Sequence, residues 1–332
     1  MEQLKIQYKK ILSDYIQNLN ESNLYIGQNF IKQLIQKNVS PEEVISIHKQ
    51  AVIEIYGDLP DSMKHSYDFL IEVMLNFGLM FKEHQSLLMK QEELRIEMDI
   101  ATKIQNLLLE TSIPKPNSLD IGMISIPVRK MNGDYVHFRH ADDSYLSVAV
   151  TDVVGKGVPA ALCMSMVKYG LDTLEYAPIN PSYVLEVLNN IIEKSVDDSM
   201  FVSLFYGRYN LKDDTFTYSS AGHEPAIYFN AAEQTYYDLE SKGLLLGILR
   251  QVKYNQFDIK LQDDDFLIIV TDGVTDFREL ENFNSREYIK SLALSCCHLS
   301  AQDMCKTIYD DLQKKQELED DFTIVIIKKN RK

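Results

Sequence analysis

The spacing of apolar residues changes once along this chain, near Leu119, and that change limits the possible folds more than any other feature. Before it, apolar side chains recur every three or four residues, which predicts amphipathic helices. After it, short apolar runs alternate with a few helical stretches. The predicted strands are 121–126, 145–150, 201–206, 216–219, 266–270 and 322–327, and the predicted helices are 159–174, 183–195 and 285–314. Many strands with helices between them favour an α+β domain built on packed sheets.

Residues 1–81 are predicted to form an all-α helical bundle. One of its helices begins at Ser40-Pro41-Glu42-Glu43, where Ser40 can cap the helix and Glu43 can complete a capping box. The turn-forming segment 57–62 ends that helix, and a new apolar stripe follows at 67–77. Several helices of this length bury their apolar faces by packing together as a bundle.

Residues 82–113 are predicted to form one linker helix, because 82–111 contain no Gly or Pro and Pro114 follows. Within this helix, mostly apolar residues spaced alternately by four and three positions form the seam of a coiled coil. Two of the seam positions are the polar residues Gln91 and Gln105, which weaken it. The seam positions are 87, 91, 94, 98, 101, 105 and 108, and a second apolar face is formed by 96, 100, 104 and 107. Two interpretations stay open at this point. The helix either dimerises and carries a signal, or packs on its own domain.

Composition excludes several classes of function. The 332 residues include 34 Lys and Arg against 49 Asp and Glu, so the formal net charge is −15. Nucleic acids and anionic membranes bind basic surfaces, so neither is expected as a partner. No apolar segment reaches the roughly 20 residues that span a membrane. The four cysteines show no CxxC spacing, and the expected location is the reducing cytoplasm.

Four turns that contain aspartate border apolar runs in the second part of the chain. They are 132–135 (NGDY), 151–155 (TDVVG), 271–274 (TDGV) and 320–323 (DDFT). Aspartate is disfavoured inside strands, and carboxylates gathered at one place repel each other. Divalent cations remove that repulsion, and carboxylate oxygens favour Mg²⁺ or Mn²⁺ over zinc. Singly, each aspartate is more simply a turn cap, but the four together indicate a metal site.

Six segments carry a resemblance to a known family. They are MNGDY (131–135), TDVVGKGVPAA (151–161), MFVSLFYG (200–207), SAGHEP (220–225), TDGVTD (271–276) and DDFT (320–323). In this order they resemble the bacterial PP2C-type serine/threonine phosphatases of the SpoIIE group. The resemblance implies that residues 114–332 form an α-β-β-α sandwich. It also implies a two-metal site on the loops at one end of the sheets, holding Mn²⁺ or Mg²⁺.

The resemblance further implies roles for individual residues. Asp134, Asp152 and Asp272 are the implied catalytic residues. The implied metal ligands are Asp134, Asp152, the carbonyl oxygen of Val153, Asp272, Asp320 and Asp321. Asp321 stands where many wider relatives have Asn. The implied reaction is direct hydrolysis of phosphoserine or phosphothreonine by water, without a covalent phosphoenzyme.

The helical front domain and the linker helix extend the resemblance to the branch of this group that switches on the general-stress sigma factor pathway. In that branch the front domain recruits an activator protein of the switch-kinase type. The phosphatase domain then acts on a phosphorylated anti-sigma-factor antagonist. The seam of the linker helix makes a homodimer the expected state, and the linker helix would transmit activator binding to the metal site. The alternative function is a catalytically weak, dimeric signalling scaffold.

The remaining candidates are weaker. His223 could act as a general acid, but a hydrogen-bonded turn residue is the favoured interpretation. Arg129 and Lys130 could contact phosphate, although a solvated basic pair is favoured. Gly155-Lys156-Gly157 lacks the GxxxxGK[ST] pattern of a nucleotide-binding loop and is interpreted as a turn. Asp276 is a candidate ligand of an extra ion. Asp272 is disfavoured as a nucleophile, because Val274 stands where aspartyl phosphotransferases have a second aspartate.

Overall fold

The computed structural model describes residues 2–141, 144–155, 157–174, 180–195, 200–276, 284–315 and 318–331. The chain divides into two compact units, Met1–Glu97 and Met98–Lys332. No helix in the described ranges is both long and apolar enough to cross a membrane. All four cysteines are free thiols.

The first unit is helical, as the sequence predicts. It contains α1 (Glu2–Gln17), α2 (Glu21–Gln36), α3 (Pro41–Tyr56) and the first part of α4 (Asp61–Leu108). Leu4, Phe30 and Leu34 form its buried core. The capping box at the start of α3 is confirmed, because the backbone N–H of Ser40 donates to the Glu43 carboxylate at 2.9 Å.

Helix α4 is one continuous helix of 48 residues. The apolar stripe at 67–77 and the linker helix predicted to begin at residue 82 therefore belong to the same helix, with no break between them. Gly78 is the one glycine within it and is tolerated, since a single glycine weakens a helix by only about 1 kcal/mol. The helix ends at Leu108, before the predicted end near Pro114. Beyond it, the Thr111 hydroxyl donates to the Val136 carbonyl oxygen at 2.6 Å.

In its described residues, the second unit contains two five-stranded sheets in which neighbouring strands run antiparallel. The first sheet has the order β1 (Leu119–Ile126), β10 (Phe322–Lys329), β9 (Phe266–Val270), β6 (Ala226–Asn230), β7 (Thr235–Leu239). The second has the order β2 (Asp134–Ala141), β3 (Tyr145–Val154), β4 (Phe201–Asn210), β5 (Thr215–Ala221), β8 (Phe257–Lys260).

Helices cover the outer face of each sheet. The helices α5 (Val158–Thr173) and α6 (Pro181–Glu193) pack on the second sheet, and α8 (Ser285–Ser295) and α9 (Ala301–Gln313) cover the first. On β10, Val325 and Ile327 pack between the sheets, while Ile324 and Ile326 pack against the helices. Alternate side chains point to opposite faces of a strand, so a strand buried on both faces is apolar throughout. The predicted α-β-β-α sandwich is confirmed.

Some elements differ from the prediction. The predicted helix 285–314 is two helices, α8 and α9, because the chain leaves the helix at Cys296 and re-enters it after Ser300, which caps α9. The strands β2, β6, β7 and β8 were not predicted. Three of them, β2, β7 and β8, lie at sheet edges and carry many polar residues, so their apolar periodicity is weak.

Candidate active site

The pairing of β2 with β3 brings the first two acidic turns together. Asp134 and Asp152 are direct cross-strand partners, although they lie in separate turns of the sequence. The ends of these strands therefore place two carboxylates side by side at one end of the second sheet. Like charges held opposite each other in a sheet are destabilising unless something compensates them.

Asp134 is held in place by the other sheet. Its side chain is only 3% exposed, and one carboxylate oxygen accepts a hydrogen bond of 2.8 Å from the Thr271 hydroxyl. Thr271 lies at the end of β9, and its backbone N–H donates to the carbonyl oxygen of Thr323 on β10. Burial and the neighbouring Asp152 raise the pKa of Asp134 well above its ordinary value. A carboxyl from one sheet is thus fixed by a hydroxyl from the other.

The third and fourth acidic turns pack directly on each other. Asp272 opens the short helix α7 (Asp272–Thr275), and Asp320 and Asp321 precede β10. A Cβ at Gly273 would lie 2.1 Å from the backbone oxygen of Asp321, so only glycine permits this approach.

The Asp321 carboxylate also fixes the loop before β2. It accepts the backbone N–H of Val128 at 2.8 Å and that of Gly133 at 2.5 Å. A Cβ placed at Gly133 would find Asp321 Oδ2, Asp152 Oδ1 and the Val153 carbonyl oxygen within 3.8 Å. Oxygens from three parts of the chain thus surround the Gly133 backbone. Asp321 therefore has an observed role in holding the loop, beside the metal-ligand role that the resemblance implies.

These groups line a cleft of about 190 Å³. Its lining includes five of the six implied metal ligands, namely Asp152, Val153, Asp272, Asp320 and Asp321. Asp134 lies buried beside Asp152. In the ranges that the structure describes, no three His, Cys, Asp or Glu side chains already form a ligand set around one point.

The electrostatics of the cleft are those of an uncompensated acidic cluster. Burial and the carboxylates of Asp272, Asp320 and Asp321 raise the pKa of Asp152 to about 7. Burial and the charge of Asp320 also raise the pKa of Asp272. Every donor in this set is an oxygen, from a carboxylate or a carbonyl. This donor chemistry fits hard divalent ions such as Mg²⁺ or Mn²⁺, which would neutralise the repulsion.

Arg129 and Lys130, the two candidates for phosphate contact, differ in their surroundings. Arg129 lines the cleft, as a phosphate-binding residue must. Lys130 instead forms an ion pair of 2.5 Å with Asp99 on α4. Lys156 lies outside the described residues.

Neither His223 nor Asp276 is among the residues that line the cleft. His223 is buried, with Nδ1 at 3.2 Å from the backbone oxygen of Glu224, and burial lowers its pKa to about 4. A neutral, enclosed imidazole agrees with the favoured turn interpretation and not with a general acid. Asp276 is exposed one turn after Asp272, and its charge contributes to the raised pKa of Asp272.

The sequence does not indicate the roles of Thr271 and Asn132 in this site. Thr271 belongs to the third acidic turn, and its hydroxyl holds Asp134. The Asn132 side chain accepts the backbone N–H of Asp134 at 3.0 Å, a local turn bond that asparagine commonly makes. The Asn-Gly-Asp order is a signal for such a turn. No sequence pattern indicates the partner of Thr271, because that contact joins distant segments.

Comparisons with known proteins give matches for both parts of the chain. Residues 142–330 match the family Stage II sporulation protein E (SpoIIE), and residues 6–80 match the N-terminal domain of phosphoserine phosphatase RsbU. The chain is 45% identical over 330 residues to phosphoserine phosphatase RsbU of Bacillus subtilis (strain 168). That alignment covers 99% of this chain and 98% of the relative.

Solved structures share the fold of the sandwich. The SiaA-PP2C domain of Pseudomonas aeruginosa has a TM-score of 0.60 at 16% identity, covering 72% of this chain and 98% of that domain. The RsbU and RsbW domains of a Mycobacterium tuberculosis protein have a TM-score of 0.58 at 21% identity, and the match covers 64% of this chain and 62% of that chain. At these identities the similarity shows the fold alone.

Replacing Gly273 with alanine should disrupt the contact between the third and fourth acidic turns. The new Cβ would clash with the Asp321 backbone, and overpacking of this kind typically costs about 1–3 kcal/mol. Urea unfolding of Gly273→Ala should therefore show a less stable phosphatase domain. The control is Gly27→Ala, where a Cβ meets no atom within 4 Å. Equal stability of Gly273→Ala and the parent protein would contradict the described packing.

In the absence of divalent ions, stability should fall as the pH rises. The pKa of Asp152 is raised from its ordinary 3.8 to about 7 in the folded state, so folding favours the protonated carboxyl. That stabilisation is complete below the unfolded pKa and is lost as the pH passes the folded pKa. Urea midpoints measured in EDTA should decrease between about pH 4 and pH 7. In Asp152→Asn the urea midpoint should depend less steeply on pH. An equally steep dependence in this variant would contradict the attribution of the pH effect to Asp152.

Proposed function

Since the chain belongs to the SpoIIE family of PP2C-type serine/threonine phosphatases, and to its RsbU branch, we propose that it is a metal-dependent enzyme acting on a phosphorylated anti-sigma-factor antagonist. Its activity would switch on a general-stress sigma factor. The observation that carries the metal dependence is the acidic cleft, where burial and the neighbouring carboxylates raise the pKa of Asp152 to about 7. A cluster of this kind, lined by oxygen donors, suits two divalent ions.

The proposed ligands of two Mn²⁺ or Mg²⁺ ions come from all four acidic turns. They are the carboxylates of Asp134, Asp152, Asp272, Asp320 and Asp321 and the carbonyl oxygen of Val153. Bound ions would supply an activated water and would neutralise charge on the phosphoryl oxygens. Of these residues, Asp134, Asp152 and Asp272 are the proposed catalytic residues.

Residues of the chain itself would orient the substrate and support the ligands. Arg129 lines the cleft and can donate paired hydrogen bonds to phosphoryl oxygens. Thr271 fixes Asp134 through its hydroxyl. Among the described residues of the lining there is no Ser, Cys or His. The proposal is therefore attack by water without a covalent intermediate on such a side chain.

Regulation would come through the helical part of the chain. We assign residues 1–81 to binding of a switch-kinase-type activator, residues 82–113 to a linker helix and residues 114–332 to the phosphatase domain. The linker carries exposed apolar side chains, among them Leu94, Ile100 and Ile104, which suit a homodimer. An activator shifts a conformational equilibrium only by binding the active arrangement more tightly. The free thiols suit the cytoplasm, where this pathway would operate.

Activity should depend on divalent ions and on the acidic turns. Purified protein should hydrolyse a phosphate ester with added Mn²⁺ and not in EDTA. Asp152→Asn and Asp272→Asn should each lower the rate by about 100-fold or more, as expected when a charged group is removed from an active site. The control is Asp258→Asn, an exposed carboxylate on the edge strand β8. A full rate in EDTA would contradict the metal proposal, and no rate under any condition would favour the scaffold alternative.

Charged residues in the linker seam should uncouple activation. Leu94 is 61% exposed on α4, so Leu94→Glu should not unfold the helix but should oppose pairing with a second copy. Met98→Glu should act in the same way. The measurements are stimulation of the phosphatase by its activator and the oligomeric state by light scattering. Lys103→Glu, outside both apolar faces, is the control. If Leu94→Glu and Met98→Glu are stimulated by the activator as the parent protein is and have the same molar mass in solution, the seam has no role in dimerisation or activation.

A further inference from the structure

One buried polar side chain stands out on the last turns of α4. Gln105 is only 3% exposed, whereas its neighbours Ile104 and Leu107 are 52% and 74% exposed. The helix thus buries a side-chain amide and leaves apolar side chains in solvent. Burying an amide is unfavourable unless its hydrogen bonds are replaced.

The buried amide of Gln105 makes hydrogen bonds to the backbone of a single residue, Asn132, and these replace its hydrogen bonds to water. Its Nε2 donates to the Asn132 carbonyl oxygen at 2.9 Å, and its Oε1 accepts the Asn132 N–H at 3.3 Å. Both backbone groups of Asn132 are therefore satisfied by one side chain. This two-point contact restrains both the position and the rotation of the peptide groups beside Asn132.

Asn132 in turn connects to the acidic cleft. Its side-chain oxygen accepts the backbone N–H of Asp134 at 3.0 Å. Its amide nitrogen donates to Ser125 Oγ at 3.2 Å, and Ser125 Oγ is hydrogen-bonded to Thr323 Oγ1 at 2.9 Å. The next residue, Gly133, donates its N–H to Asp321. A shift of Asn132 would move the start of β2 and disturb two of the proposed ligands.

We infer that Gln105 is a positioning residue: its amide clamps the Asn132–Asp134 loop and thereby sets the affinity of the acidic cleft for divalent ions. The inference rests on the proposed metal-dependent function and deepens it. It gives the linker helix a specific contact through which its position affects the metal site. Gln105 lies in the predicted seam, yet its observed contacts are with the phosphatase domain.

A purely structural role would have a different signature. If Gln105 only packed α4 against the domain, an apolar side chain of the same length would serve as well. Methionine has that length and lacks the amide. Gln105→Met should then preserve stability in EDTA but leave the Asn132 loop without its clamp. Loss of groups that support metal ligands typically weakens metal affinity about 10–100-fold.

The test uses the full chain and Mn²⁺ alone, titrated by calorimetry without substrate. Gln105→Met should bind Mn²⁺ about ten-fold more weakly than the parent protein. Gln105→Asn keeps the amide but is one methylene too short to reach both backbone groups, so it should also bind more weakly. Gln91→Met, an exposed glutamine of the same helix and seam, is the matched control and should bind as the parent does. Phosphatase activity of Gln105→Met should recover at saturating Mn²⁺, with kcat near that of the parent.

The outcomes separate the two proposals. If the parent protein binds no Mn²⁺, the metal-dependent function itself is wrong. If the parent binds Mn²⁺ and both Gln105 variants bind it within two-fold of the parent, the clamp is wrong and the function stands. If Gln105→Met is unstable in EDTA, the Gln105→Asn titration decides the question. Weaker binding by Gln91→Met to the same extent would also overturn the clamp.

Discussion

Repulsion among the carboxylates gathered at the cleft is the constraint that the packing of the phosphatase domain must overcome. Asp134 and Asp152 face each other across a strand pair, and Asp272, Asp320 and Asp321 add their charges to the same cleft. Burial and these neighbours raise the pKa values of Asp134, Asp152 and Asp272. Packing of the two sheets holds this unfavourable cluster together, so the stability of the sandwich is what makes a divalent-ion site possible.

The contacts that assemble the cleft span long sequence distances. The Thr271 hydroxyl and the Asp134 carboxylate are 137 residues apart, and Gly133 and Asp321 are 188 residues apart. Each contact joins one sheet to the other at the same end of the sandwich. The tight approach of Gly273 to Asp321 joins the last two acidic turns. The cleft therefore forms only when both sheets are packed, which ties the proposed chemistry to the complete domain.

Much of this arrangement could be predicted from the sequence, for physical reasons. Strands buried on both faces, such as β9 and β10, are apolar throughout and easily recognised. The acidic turns were recognised because aspartate beside such strands is unusual. Edge strands such as β8 are not predicted, because polar residues at their exposed positions weaken the periodicity of apolar residues. The hydroxyl of Thr271 and the clamp of Gln105 were missed because their partners are distant, and Gln105 was interpreted only as a weak point of a seam.

We propose that the acidic turns of both sheets hold divalent ions at one place. Anomalous diffraction at the manganese edge, from crystals of the full chain grown with Mn²⁺, tests it most directly. We expect two manganese peaks in the cleft, contacted by Asp152, the carbonyl oxygen of Val153, Asp272 and Asp320. A crystal of active protein with manganese bound elsewhere, and with these oxygens free of metal, would contradict it.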